Sequence, residues 1–266
     1  MGHQNHHFAG DTYANAGFWS PPTSAANFCE EDYAVTWYIA EFINAISSFA
    51  YVYYALGCSI VHAGSRHSPR RFDNLSVALC LVGLTSAAYH GTLRQGAQFS
   101  DDLSMLLLCG CLLQKLYSHG QGPRAASLVT AVVVVATSGM SAYYVRSGEI
   151  VIHMNTFGAM VSLIWPRTLY LIYSSSPGGT RSPGQTAELV RRFWTAVAFL
   201  LLAYVLWHID LERCLELRRI RESLGLPWAW ALELHGWWHL LTAIGAAEYI
   251  RLVRALCNSS KEDMEG

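Results

Sequence analysis

Two histidines four residues apart, His235 and His239, sit in the apolar and aromatic run Leu234-His235-Gly236-Trp237-Trp238-His239-Leu240. On a helix, residues i and i+4 share a face. Their ring nitrogens can therefore converge on one point, the geometry a bound zinc needs. Packed against the neighbouring tryptophans at a membrane interface, the same pair would be structural. Two further polar sites inside apolar sequence weigh towards chemistry: Ser86-Ala87-Ala88-Tyr89-His90 and Asp101-Asp102. Three His nitrogens and a fourth position open to water describe a catalytic zinc site, and bound zinc lowers the pKa of its water from about 15.7 to about 7. With His90, His235 and His239 as ligands, Asp101 can accept the water's proton or orient a ligand imidazole. Ser86, four residues before His90 on the same helix face, can donate to a developing oxyanion. The structural alternatives are a helix-bending Ser bonded to its own backbone and an Asp acting as a helix cap.

A second set of candidates lies nearer the N-terminus. The stretch Asn27-Phe28-Cys29-Glu30-Glu31-Asp32, followed nine residues on by Glu41, concentrates oxygen ligands with the irregular spacing that suits calcium. As a solvated acidic loop it would need no ligand. Glu41 argues against that, because it falls inside an apolar run where a carboxylate needs a partner.

The elements that must position these groups are set by composition. The chain has 266 residues, 52% of them hydrophobic and 14% charged, against roughly 25% charged in a typical soluble domain. Lipid is therefore the expected solvent. A net charge of -1 supplies no basic field for nucleic acid. The first 17 residues are polar and lack the apolar core of a signal peptide, so the first apolar segment is expected to do the targeting. Seven runs approach the roughly 20 residues that cross a bilayer: 35–61, 72–93, 98–117, 125–145, 150–173, 190–208 and 228–253. These predict one all-α integral membrane domain, a bundle of seven transmembrane helices over 35–255, with an N-terminal lumenal segment 1–34 and a cytosolic tail 256–266.

Twelve of the 18 Lys and Arg residues fall on the side reached after the odd-numbered spans. That predicts a lumenal N-terminus and a cytosolic C-terminus, with the loop holding Arg213 and Arg221 pulling the other way. In this topology His90 ends the second span, Asp101 opens the third, and His235 and His239 open the seventh, all at one depth. An Asp in a membrane helix costs roughly 2.5 to 3.5 kcal/mol on insertion scales, so such residues usually mark function. The seven cysteines are too scattered for a zinc ribbon. Five fall in or at the ends of apolar runs, while Cys29 and Cys214 flank them.

The run Phe18-Trp19-Ser20-Pro21-Pro22-Thr23-Ser24, then Phe28-Cys29-Glu30-Glu31-Asp32-Tyr33, then Thr36-Trp37-Tyr38-Ile39-Ala40-Glu41-Phe42, resembles the N-terminal signature of the alkaline ceramidases. These are seven-helix enzymes of the superfamily that also holds the adiponectin receptors. The likeness extends from Gly17 to about Arg254 and includes Ser86-x3-His90, Asp101 and His235-x3-His239. It implies zinc held by His90, His235 and His239, a catalytic Ser86 and Asp101, and calcium held by Asn27, the Phe28 carbonyl, Glu30, Asp32 and Glu41. The family commonly has Asp-Trp where this chain has Asn27-Phe28, and Asn where it has Asp32, a swap that keeps the charge count. The likeness also implies a disulfide between Cys29 and Cys214.

The expected activity is hydrolysis of ceramide, dihydroceramide or phytoceramide, drawn sideways from the bilayer, to a sphingoid base and a free fatty acid, with no obligate protein partner implied. The alternatives are a zinc-containing heptahelical receptor and a transporter relaying protons through His208 and Asp210. Endoplasmic reticulum and Golgi are both compatible with a tail that lacks a Lys-Asp-Glu-Leu signal.

Overall fold

The computed structural model describes residues 11–60, 73–174 and 181–262. Arg66, Arg70 and Arg71, used above for orientation, and the last residues of the tail lie outside that set. Among the described residues the regular structure is helical. An irregular segment ends at Glu41. There follow α1 (Phe42–Ser47), α2 (Phe49–Ile60), α3 (Asn74–Thr92), α4 (Gln95–Ser118), α5 (Pro123–Ser147), α6 (Ile150–Tyr173), α7 (Pro183–Glu212), α8 (Cys214–Leu224), a 3-10 turn (Trp228–Leu232) and α9 (Leu234–Glu262).

Helix boundaries follow local chemistry. Asp73 caps α3 by accepting from the Ser76 amide at 3.0 Å, which satisfies a donor that has no partner inside the helix. Ser182 and Gln185 form a reciprocal capping box at the start of α7, with Pro183 in the first turn. Gly148 closes α5 at φ 72°, a left-handed conformation open to glycine.

The α3–α4 connection is tighter. Leu93 takes the left-handed conformation at φ 49°, a cost of roughly 1–2 kcal/mol for a residue with a Cβ. It is held there by the N-terminal segment, because its carbonyl accepts from the amides of Thr23 and Ser24 at 2.9 and 3.0 Å. The same segment pairs with the end of α3 through Ala40 N–H to Gly91 O at 3.0 Å and Glu41 N–H to His90 O at 2.9 Å. These bonds fix where His90 and Asp101 stand.

Among the described residues, three helices are long and apolar enough to cross a membrane: Asn74–Thr92, Pro123–Ser147 and Pro183–Glu212. The outer face of α5 carries Leu128, Val132, Val135 and Tyr143, all more than half exposed. A surface this apolar suits lipid rather than water. The interior is filled by Leu79, Leu106, Leu116, Ile172, Phe193 and Ile250, drawn from α3, α4, α6, α7 and α9.

Close approach of backbones sets the packing. A Cβ on Gly83 of α3 would meet the Ser48 carbonyl at 2.9 Å and Tyr51 Cβ at 3.0 Å, a small-residue contact of the kind membrane helices use. Gly83→Val should therefore lower thermal stability in detergent by roughly 1–3 kcal/mol. Gly139→Ala, where nothing lies within 4 Å, should leave the melting curve in place. Identical melting of both variants would refute this packing.

Candidate active site

His90 near the end of α3 and His235 and His239 at the start of α9 meet in one buried place. Each offers a ring nitrogen within 4.8 Å of the other two, and all three side chains are buried. The i, i+4 spacing on α9 brings the His235 and His239 ring centroids to 4.6 Å. His90 comes from a different helix to within 5.0 Å of one and 4.8 Å of the other. The ring of Phe28 stacks on His235 at 3.5 Å and closes that side.

Two of the imidazoles are oriented from behind. The Glu41 carboxylate engages His90 Nδ1, and Ser47 Oγ lies 2.9 Å from His239 Nδ1. In both rings Nε2 is left for the shared centre, the arrangement in which outer partners fix the tautomer of metal-binding histidines. Nδ1 of His235 is buried and has no protein partner, as an imidazole awaiting a ligand would. Three neutral nitrogen donors converging on one point fit a divalent metal.

Ser47 and Ser48 were not among the expected site residues. They occupy the break between α1 and α2, where Ser48 Oγ donates to the Asn44 carbonyl at 2.8 Å, a bond that bends helices. The available signal was a pair of hydroxyls inside an apolar run. Ser48 Oγ also lies 3.0 Å from Ser86 Oγ.

Ser86, Asp101 and the three histidines line one cavity of about 390 Å³. The Ser86 hydroxyl sits on the wall of that space beside Ser48. Asp101 is buried with Oδ1 unpartnered, while its neighbour Asp102 turns away to Tyr144 and His153. His153 also escaped the sequence reading, although an ionisable residue in an apolar run was the signal. A second, apolar slot of about 290 Å³ shares Tyr51, Met105, Phe157 and Trp238 with the first.

The oxygen-rich residues at the N-terminus are not solvated. Asn27, Glu30, Asp32 and Glu41 are all buried, and Glu31 is exposed. Asn27 Nδ2 donates to both oxygens of Asp32 at 3.2 and 3.3 Å. Glu30 accepts from the amides of Ile43 and Asn44 at 2.7 and 2.9 Å, closing the start of α1. The Phe28 amide donates to Glu41 at 3.1 Å. Burial, reinforced by the charge of Glu41, pushes the carboxyls of Glu30 and Asp32 up to about 8. Among the described residues, the three histidines are the His, Cys, Asp and Glu group gathered closely enough to hold an ion on side chains alone.

Cys29 and Cys214 are joined by a disulfide with Cα atoms 5.3 Å apart. It ties this segment to the start of α8. Around it, the Cys29 amide donates to Asp210 Oδ2 at 3.1 Å, and Arg218 and Arg221 donate to the Cys29 carbonyl at 3.0 and 3.1 Å. Asp210 thereby fastens the N-terminal segment to the end of α7. His208 faces outward beside Tyr204 and Trp207.

Apolar outer faces and three buried histidines around one cavity are the features of a helical membrane protein with a candidate metal centre. Residues 20–265 match the family described as Ceramidase, and the chain belongs to that family. Similar proteins include "Alkaline ceramidase 3" of Mus musculus, 27% identical over 88% of this chain and 84% of that protein. "Alkaline ceramidase YPC1" of Saccharomyces cerevisiae is 28% identical over 88% of this chain and 77% of that one. "Alkaline ceramidase" of Arabidopsis thaliana is 24% identical over 87% and 83%.

Replacing Ser47 and Ser48 together by Ala should weaken divalent-metal binding roughly 10- to 100-fold, the usual cost of losing an outer partner. Competition against a chromophoric chelator measures this, and unchanged affinity would remove the serines from the site. Peptide mapping under non-reducing conditions should recover Cys29 linked to Cys214, and alkylation of both would contradict the bridge.

Proposed function

We propose that this chain is an intramembrane, zinc-dependent amidase that hydrolyses ceramide, including dihydro- or phytoceramide, to a sphingoid base and a free fatty acid. The observation that carries this reading is the meeting of His90, His235 and His239 with an unpartnered Asp101 carboxylate and Ser86 on one cavity wall. Membership of the ceramidase family and the names of the relatives support the substrate class.

Zinc held by the three histidines would supply Lewis-acid polarisation of the amide carbonyl and a nucleophile at neutral pH. Asp101 takes the proton of the attacking water and passes it to the departing amine, which leaves as the sphingoid base. Ser86 donates to the carbonyl oxygen as negative charge builds there, with Ser48 holding that hydroxyl in line. Phe28 packs over His235 and keeps water from that side. The adjoining apolar slot takes an alkyl chain of the lipid, so ceramide can react without leaving the bilayer.

The seven apolar runs then act as seven spans over 35–255, with the broken α1–α2 pair as the first and α9 as the last. Residues 1–34 face the lumen of the endoplasmic reticulum or Golgi, and the tail from 256 faces the cytosol. Asn27, the Phe28 carbonyl, Glu30, Asp32 and Glu41 form a calcium site. Glu30 and Asp32 are buried within the electrostatic reach of Glu41, and a divalent cation completed by the Phe28 carbonyl would offset that repulsion. The heptahelical receptor alternative would use the same zinc site, but an unpartnered buried carboxylate beside it suits a proton acceptor and so favours hydrolysis.

Purified protein should contain one zinc per chain and release fatty acid from ceramide, with release lost on chelation and restored by zinc. His239→Ala should abolish both metal and turnover. Ser86→Ala should keep the metal and lose about 10²- to 10³-fold in kcat. Hydrolysis that persists in metal-free His239→Ala would sink the mechanism.

A further inference from the structure

The cavity beside the histidines has a second polar wall that amide hydrolysis does not use. Asp102 follows Asp101 on α4, yet its carboxylate faces α5 and α6. Tyr144 Oη donates to its Oδ2 at 2.5 Å, Gln98 Nε2 donates to the same oxygen at 3.5 Å, and His153 Nε2 lies 3.6 Å from Oδ1. Asp102, Gln98 and His153 line the cavity with the three metal-site histidines. Tyr144 is the buried residue of an otherwise outward-facing α5.

His153 is 6% exposed, and its second ring nitrogen, Nδ1, is buried without a partner. Leaving such a group unpaired is unfavourable, and a bound partner would relieve it. The carboxylate beside Nε2 favours the tautomer with its proton there. Nδ1 is then an acceptor, and what it lacks is a donor.

An alkyl chain offers no donor. The amide N–H of a ceramide stays with its carbonyl at the three histidines. The headgroup hydroxyls, a bond or two further along, are the donors that can reach another wall of the same cavity. We infer that His153 accepts a hydrogen bond from a hydroxyl of the sphingoid headgroup, with Asp102, Tyr144 and Gln98 holding its imidazole for the purpose. This inference rests on the ceramide reading above and names how the substrate is chosen.

The test compares kcat/KM for fatty acid release by the zinc-loaded full chain on ceramide and on two analogues, one lacking the 1-hydroxyl and one lacking the 3-hydroxyl. The unmodified protein should disfavour one of these analogues by roughly tenfold, the size of one buried hydrogen bond. His153→Leu should fall by the same factor on ceramide, stay level on that analogue, and keep its zinc. Tyr144→Phe, which removes only a hydroxyl, should move the same way by a smaller factor and serves if His153→Leu does not fold. A loss shared equally by all three substrates, or no loss at all, would overturn the role of His153 while leaving the amidase reading intact. Absence of release from every substrate by the unmodified protein would overturn both.

Discussion

Glu41 holds one histidine at two points, and the site depends on that grip. Its amide donates to the His90 carbonyl at 2.9 Å, and its carboxylate engages Nδ1 of the same ring. The first contact docks the N-terminal segment on the end of α3, and the second turns the imidazole inward. A carboxylate with no exposed surface is tolerated only when its oxygens are satisfied. Here the amide of Phe28, the side chain of Asn44 and His90 share that task. The irregular segment and the helical bundle are therefore one mechanical unit.

The rest of the structure is arranged by polarity. The groups that react or recognise gather at the end of α3, the start of α9, the break between α1 and α2 and the beginning of α4. Below them the interior becomes mainly apolar, with Leu106, Leu116 and Ile250 fully buried and Thr168 paired with the Tyr249 hydroxyl. The two adjoining cavities follow the same gradient, from a wall of imidazoles and carboxylates to one of aliphatic and aromatic side chains. A lipid with a small polar head and long tails matches that gradient end for end.

Much of this was legible from spacing. His235 and His239 at i, i+4, and Ser86 one turn before His90, lie together because helices repeat every 3.6 residues. The apolar runs also marked helices, although the first became an irregular stretch followed by α1 and α2, and the last opens with a 3-10 turn before α9. What spacing left unread was contact between helices distant in sequence. Ser47 and Ser48 support a histidine 191 or 192 residues away, and Tyr144 reaches back to Asp102 across α4 and α5. The strict apolarity of a crossing helix survives in α3, α5 and α7. In α4 and α9 the chemistry itself dilutes the signal, because Asp101, Asp102, His235 and His239 stand where leucines would otherwise be. α3 carries Ser86 and His90 and still keeps that apolarity. Glu41 was read only as a potential calcium ligand, and its contact with His90 had no trace in the sequence.

The bond between Cys29 and Cys214 turns the intervening chain into a covalent ring with a sequence separation of 185. That ring encloses α1 through α7 and a single histidine of the three. The helix that brings the other two lies outside it. Nothing covalent beyond the chain itself secures α9 in place; it is held by packing, such as Gly245 pressed against Leu200 and the Ala196 carbonyl of α7, and by polar contacts of Thr242 with Tyr51, Tyr249 with Thr168 and Arg254 with Asp73. The histidine chamber is thus a vessel with a welded body and a fitted stopper, and its completion belongs to whatever seats that last helix.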